Sequence, residues 1–149
     1  MKPLFLLLGV FALSATVAVI TAGDWYLSFC GNLAMCAMLC FTALGHVLFT
    51  KGMVLMIPPF IPGRVALVYI TGVLEVLLGV ALLLPDTRLM AGYALIAFFV
   101  AILPANIYAA TKSIDLEKGT YNGPGLSYLW FRVPLQLFFI GWVYFFAIK

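Results

Sequence analysis

The chain has very little charge. Only 9% of its 149 residues are Asp, Glu, Lys or Arg, while 66% are hydrophobic. A soluble domain runs nearer about 25% charged and 45–50% apolar. That shortage excludes a water-soluble globule and indicates an integral membrane protein. The formal charge of +3 comes from no basic cluster, because the positive residues stand singly at the ends of apolar runs. Nucleic acid is therefore not an expected partner, and the positives read as topology signals. The single histidine rules out a facing pair of histidines for haem. Cys30, Cys36 and Cys40 form neither a CxxC nor a zinc-ligand spacing and so define no disulfide framework. A phosphate-cradling glycine loop, HExxH, a nucleophile elbow and CxxCH are all missing. Ordinary hydrolase or nucleotide chemistry has no visible machinery here.

What is present is five apolar runs, at residues 3–22, 30–50, 65–84, 89–111 and 128–148, the fourth interrupted by Pro104. Each is close to the roughly 20 residues that a membrane-crossing helix needs. The expected fold is an all-α integral membrane bundle of five transmembrane helices in a single domain, 1–149, without internal repeats. The first run, with Lys2 before it and Thr21-Ala22-Gly23 after it, also has the look of a secretory signal peptide. It is long for a signal core, and Ile20 suits a processing site poorly, so it is read as the first span.

The connections carry their own signals. Residues 51–63 read KGMVLMIPPFIPG, with three prolines and almost no polar side chains. Proline opposes a regular helix there, and Met53, Leu55, Met56, Ile57 and Phe60 are too apolar for open water. A lid over the bundle or in the interface is expected, formed by Met53, Met56, Pro58, Pro59, Phe60 and Pro62. Pro85-Asp86-Thr87-Arg88 reads as a tight polar turn. Residues 112–127 form the one hydrophilic segment and end in turn chemistry at Tyr121-Asn122-Gly123-Pro124-Gly125. Five spans place Lys2, Lys51, Arg64, Lys112 and Lys118 at one end, with only Arg88 and Lys149 at the other. The positive-inside bias then predicts a cytoplasmic N-terminus and an external C-terminus. Trp25, Trp130 and Trp142 read as interface anchors.

One acidic residue cannot lie near a membrane surface. Glu75 is eleven residues beyond Arg64, about 16 Å along a helix and so near the middle of a hydrocarbon core roughly 30 Å thick. A carboxylate at that depth costs several kcal/mol unless paired or protonated, which marks a functional or specifying site. Helical side chains lean toward their own N-terminus. His46, Asn106, Arg132 and Gln136 are therefore expected to converge with Glu75 on one layer, about 8 to 14 Å below the cytoplasmic surface. Thr71 shares the face of Glu75, and Gly72 and Gly79 flank it, so a neighbouring helix can approach closely. Arg132 is the expected partner of Glu75, through a bidentate guanidinium contact; a protonated Glu75 held by Gln136 or Asn106 is the alternative. The bland reading is that such a pair only fixes helix register. His46 reads as a hydrogen-bonded residue near a span end more readily than as a metal ligand. Cys36 and Cys40, four apart, are conceivable soft-metal ligands but read first as small packing residues.

The pieces GHVLFTKGM at 45–53, PPFIP at 58–62, TGVLE at 71–75, PANIYAA at 104–110 and SYLWFRVPLQ at 127–136 together resemble the DoxX-like family of small bacterial membrane proteins. The order and spacing suggest a Bacteroidetes-type member, and the resemblance covers about two thirds of the chain. It implies a four-helix core with the first span added, a place in the bacterial inner membrane, and an association with membrane oxidoreductase complexes. No cofactor is expected to be intrinsic. A quinone is the small molecule that the resemblance implies, with the bilayer and another membrane protein or a second copy as partners. The chain carries no paired cysteines and no cofactor motif, which leaves autonomous electron transfer without machinery and an accessory role as the expectation. Three functions stay open at this point: a quinone-linked membrane subunit, a small-molecule or proton-coupled carrier or receptor, and a non-catalytic interaction subunit.

Overall fold

The computed structural model describes residues 2–149. Its helices are α1 (Lys2–Ala22), α2 (Leu27–Leu48), α3 (Thr50–Met56), α4 (Arg64–Ala81), α5 (Pro85–Thr111) and α6 (Leu129–Val143). A 3₁₀ turn, Gly125–Tyr128, leads into α6, and a π turn, Tyr144–Ile148, continues it. Five helical stretches are long and apolar enough to cross a membrane. The fold is an all-α integral membrane bundle.

The bundle is built around α2, which buries nine residues where α1 buries only Leu7 and Ala15. Its neighbours are α1 on one side and α4 on the other, while α5 pairs with α6. Met35, Met38 and Leu39 of α2 meet Leu95 and Phe99 of α5 and Phe139 and Val143 of α6 in the apolar core. The outer faces of the helices keep large apolar side chains exposed, such as Val73 and Leu77 on α4, as a lipid solvent permits.

Three boundaries differ from the sequence expectation. Residues 85–88 are not a turn but the first turn of α5. Pro85 stands at its start, where the missing N–H costs nothing, and Asp86 follows at the positive end of the helix dipole. Thr87 Oγ1 and Arg88 Nε donate to the carbonyls of Ala81 and Leu82, at 2.8 and 3.2 Å, and so satisfy the end of α4. The proline-rich connector also begins with a helix, α3, because its first proline comes only at Pro58. Helix α5 runs unbroken through Pro104, where an interruption was expected.

The two ends of the bundle are tied differently. At one end Lys2 Nζ lies 3.0 Å from Glu117 Oε1, and Gly52 of α3 packs so closely on the Leu116 carbonyl that no Cβ would fit. This puts the start of α1, the α2–α4 connection and the α5–α6 connection together. At the other end Asn32 Nδ2 donates to the Phe146 carbonyl at 2.9 Å. A side chain from α2 thus satisfies a carbonyl of the π turn. Trp142 is also placed there. Its Nε1 donates to the Gly31 carbonyl at 3.0 Å and its ring packs on Phe11 and Phe146, so it is held within the bundle and is not a free interface anchor. Trp130, 87% exposed, fits the anchor description.

Candidate functional site

The site lies in the seam between α2 and α4. The buried residues of α4 are Val68, Gly72, Glu75 and Gly79, a helical stripe that is small above and below the carboxylate. A Cβ on Gly72 would lie 3.0 Å from His46 Cβ and Cγ, and one on Gly79 would lie 3.4 Å from the Cys36 Cα. The two glycines therefore let α2 come close enough for its polar side chains to reach Glu75.

Glu75 is 6% exposed. Its Oε2 lies 2.9 Å from Thr42 Oγ1 and 3.5 Å from His46 Nε2. The other ring nitrogen of His46, Nδ1, is 2.6 Å from the Val68 carbonyl oxygen. A carbonyl can only accept, so Nδ1 carries a hydrogen and donates it. The opposite nitrogen, Nε2, is the one that faces the carboxyl, across a gap longer than a tight hydrogen bond, and it is the ring atom placed to pass a proton to or from it. Thr71 Oγ1 donates to the carbonyls of Leu67 and Val68, each at 2.9 Å, and lies 3.3 Å from His46 Nδ1.

His46 has a second face. With Cys40, Ala43, Tyr69, Gly72 and Val73 it lines an open groove of about 440 Å³ between α2 and α4, walled otherwise by apolar side chains. The side chains along it point toward lipid: Leu44, Val47, Tyr69, Val73 and Leu77 are all exposed. The arrangement can thus hold a proton in a buried pair whose imidazole borders a lipid-facing cleft.

The structure divides the expected single layer into three places. His46, Thr71 and Glu75 come together in the α2–α4 seam. Asn106 and Gln136 meet elsewhere, between α5 and α6, with Asn106 Nδ2 donating to Gln136 Oε1 at 3.3 Å and Gln136 Nε2 donating to the Phe99 carbonyl. That carbonyl precedes by one residue the Val100 carbonyl that Pro104 leaves without a helical donor. Arg132 joins neither group. Its Nη1 lies 3.3 Å from Tyr128 Oη and its guanidinium stacks 5.9 Å from the Tyr128 ring centre. The expected Glu75–Arg132 pair does not form, because α6 packs on α5 and α4 packs on α2.

The lid residues are also dispersed. Met53 and Met56 lie on α3, with Met53 Cε against Gly45. Pro58 is half-buried, Pro59 and Pro62 are exposed, and Phe60 is 82% exposed. The connector lies outside the groove that His46 lines. Cys36 is buried against Gly79, whereas Cys40 is exposed on the groove wall. Two participants were not singled out from the sequence. Thr42 is four residues before His46 and so on its face, a signal that was available; the Val68 carbonyl carried none.

Residues 35–147 match the model of a family described as a domain of unknown function, DUF8561. The match leaves α1 outside it. No curated protein and no solved structure matches the chain.

Proposed function

We propose that this chain, which belongs to the DUF8561 family, is an accessory membrane subunit whose His46–Glu75 pair exchanges a proton with the polar head of a bilayer-dissolved ligand of the quinone class. The observation that carries the reading is the double placement of His46, in contact with the buried carboxyl on one side and in the wall of a lipid-facing groove on the other. A proton delivered to a carbonyl oxygen in a dry site needs a donor of this kind. Electrons would come from a partner protein, since the sequence carries no CxxC pair and no cofactor motif. In this reading the end bearing Lys2, Lys51, Arg64, Lys112 and Lys118 faces the cytoplasm, and the pair sits in the cytoplasmic half of the membrane.

A photoreactive quinone analogue, applied to the full chain in lipid nanodiscs, tests this directly. Labelling should fall on the groove residues Val47, Val73 and Leu77. It should drop roughly tenfold in His46→Ala, the loss expected for one strong hydrogen bond. Undiminished labelling of a folded His46→Ala protein would sink the proposal.

A second reading has its own support. Every buried side-chain nitrogen and oxygen among the described residues has a partner, as it would if the polar groups served only to lock α2 against α4. On that reading a His46→Leu/Glu75→Leu protein keeps its cellular function. On the first it is folded and inactive.

A further inference from the structure

We infer that the basic end of the bundle holds one anionic phospholipid in a fixed groove, separate from the cleft beside His46. A groove of about 490 Å³ opens between α3, the start of α4 and the α5–α6 connection, lined by Thr50, Lys51, Val54, Leu55, Val65 and Gly119. Its floor is apolar, as an acyl chain requires. Lys51 lines it, and two further cations, Arg64 and Lys118, are the chain neighbours of its lining residues Val65 and Gly119.

Positive charge is in excess there. Among the described residues the ion pairs are Lys2–Glu117 and His46–Glu75, so Lys51, Arg64 and Lys118 have no carboxylate partner. The two acids at this end are occupied elsewhere. Glu117 holds Lys2, and Asp115 Oδ1 accepts the backbone N–H groups of Glu117 and Lys118. Helix α4 also begins here, after Gly63 in the left-handed conformation and without a side-chain cap, so the free amides of its first turn add to the attraction for a phosphate. The groove lies where the spans end and the headgroup region begins, with apolar side chains toward the bilayer and cations toward its surface. An anionic phospholipid is the molecule whose two halves match both, and basic pockets between spans bind such headgroups in this way. The rigid contact of Gly52 with the Leu116 carbonyl, and the approach of Gly119 to Lys51, fix the walls relative to each other.

Native mass spectrometry of the full chain, released from bilayers of phosphatidylglycerol and phosphatidylcholine in equal parts, tests the inference. One phosphatidylglycerol should be retained per chain in preference to phosphatidylcholine. The preference should fall at least roughly tenfold in Lys51→Gln/Arg64→Gln/Lys118→Gln, each cation contributing severalfold. It should persist in Lys112→Gln, which removes a cation at the same end but outside the groove. Val54→Asn/Leu55→Asn keeps the cations and spoils the floor, and it should also lose the lipid. Absence of preference in the wild type, equal loss in Lys112→Gln, retention by the floor variant, or displacement of the lipid by millimolar inorganic phosphate would each overturn it. The first means no site, the second diffuse surface charge, and the last two a site for the phosphate alone.

Discussion

Two polar seams cross this bundle, and they are built on opposite plans. The α2–α4 seam holds a titratable pair, His46 and Glu75, between glycines and beside an open groove. The α5–α6 seam holds a neutral amide pair, Asn106 and Gln136, whose neighbours Phe99 and Phe139 are buried in the core. The first sets an imidazole against a carboxyl, two groups that can gain or lose a proton; the second is two amides, each donating one N–H to a fixed acceptor. A neutral, closed seam can stiffen a proline-bearing helix by occupying the Phe99 carbonyl. Only a titratable, open seam can do chemistry. Polar residues at similar depth in a membrane are therefore not equivalent, and what separates them is whether their wall faces core or lipid.

The largest expected effect comes from splitting the titratable pair. His46→Leu leaves the Glu75 carboxyl with Thr42 alone and should destabilise the protein by about 3 kcal/mol or more, whereas His46→Leu/Glu75→Leu should recover most of that loss. Unfolding in mixed micelles measures both, and additive losses in the double variant would contradict a coupled pair. The amide seam should respond less. Gln136→Leu leaves Asn106 Nδ2 without its acceptor at a cost of about 1–3 kcal/mol, with no change in labelling of the α2–α4 groove. A change there would mean that the two seams are one site after all.

Smaller effects grade the α2–α4 seam itself. Gly72→Ala places a Cβ 3.0 Å from the His46 side chain, while Gly79→Ala meets Cys36 at 3.4 Å. The first should cost about 1–3 kcal/mol of stability and the second less, and thermal melting in nanodiscs would rank them. The reverse order would place the tightest approach away from His46. Smallest of all, Thr42→Val removes one hydroxyl donor from Glu75 and should cost about 1 kcal/mol, with Thr42→Ser close to neutral. If Thr42→Ser were as damaging as Thr42→Val, the methyl group and not the hydroxyl would be the contribution of Thr42.

Much of this molecule was legible in its sequence, because bilayer physics acts along the chain. Span number follows from the lengths of apolar runs, and the expected depth of Glu75 follows from counting residues from Arg64. The close approach at Gly72 and Gly79 follows from their positions on the same face. These are one-dimensional quantities, and the structure agrees with the span number and with the close approach at the two glycines. Helix limits were less legible where turn-forming residues have two uses: Pro85 and Asp86 open a helix as readily as they make a turn.

Which polar group faces which was decided only by the tertiary structure. Residue counting gives depth in the membrane but not rotation about a helix axis, nor which helices are neighbours. Arg132 and His46 were both at plausible depth for Glu75. The packing of α4 on α2, and of α6 on α5, gave the carboxyl to His46 and Thr42 and left Arg132 stacked on Tyr128. Depth is fixed by the solvent that each residue must meet, whereas partnership is fixed by how helices pack.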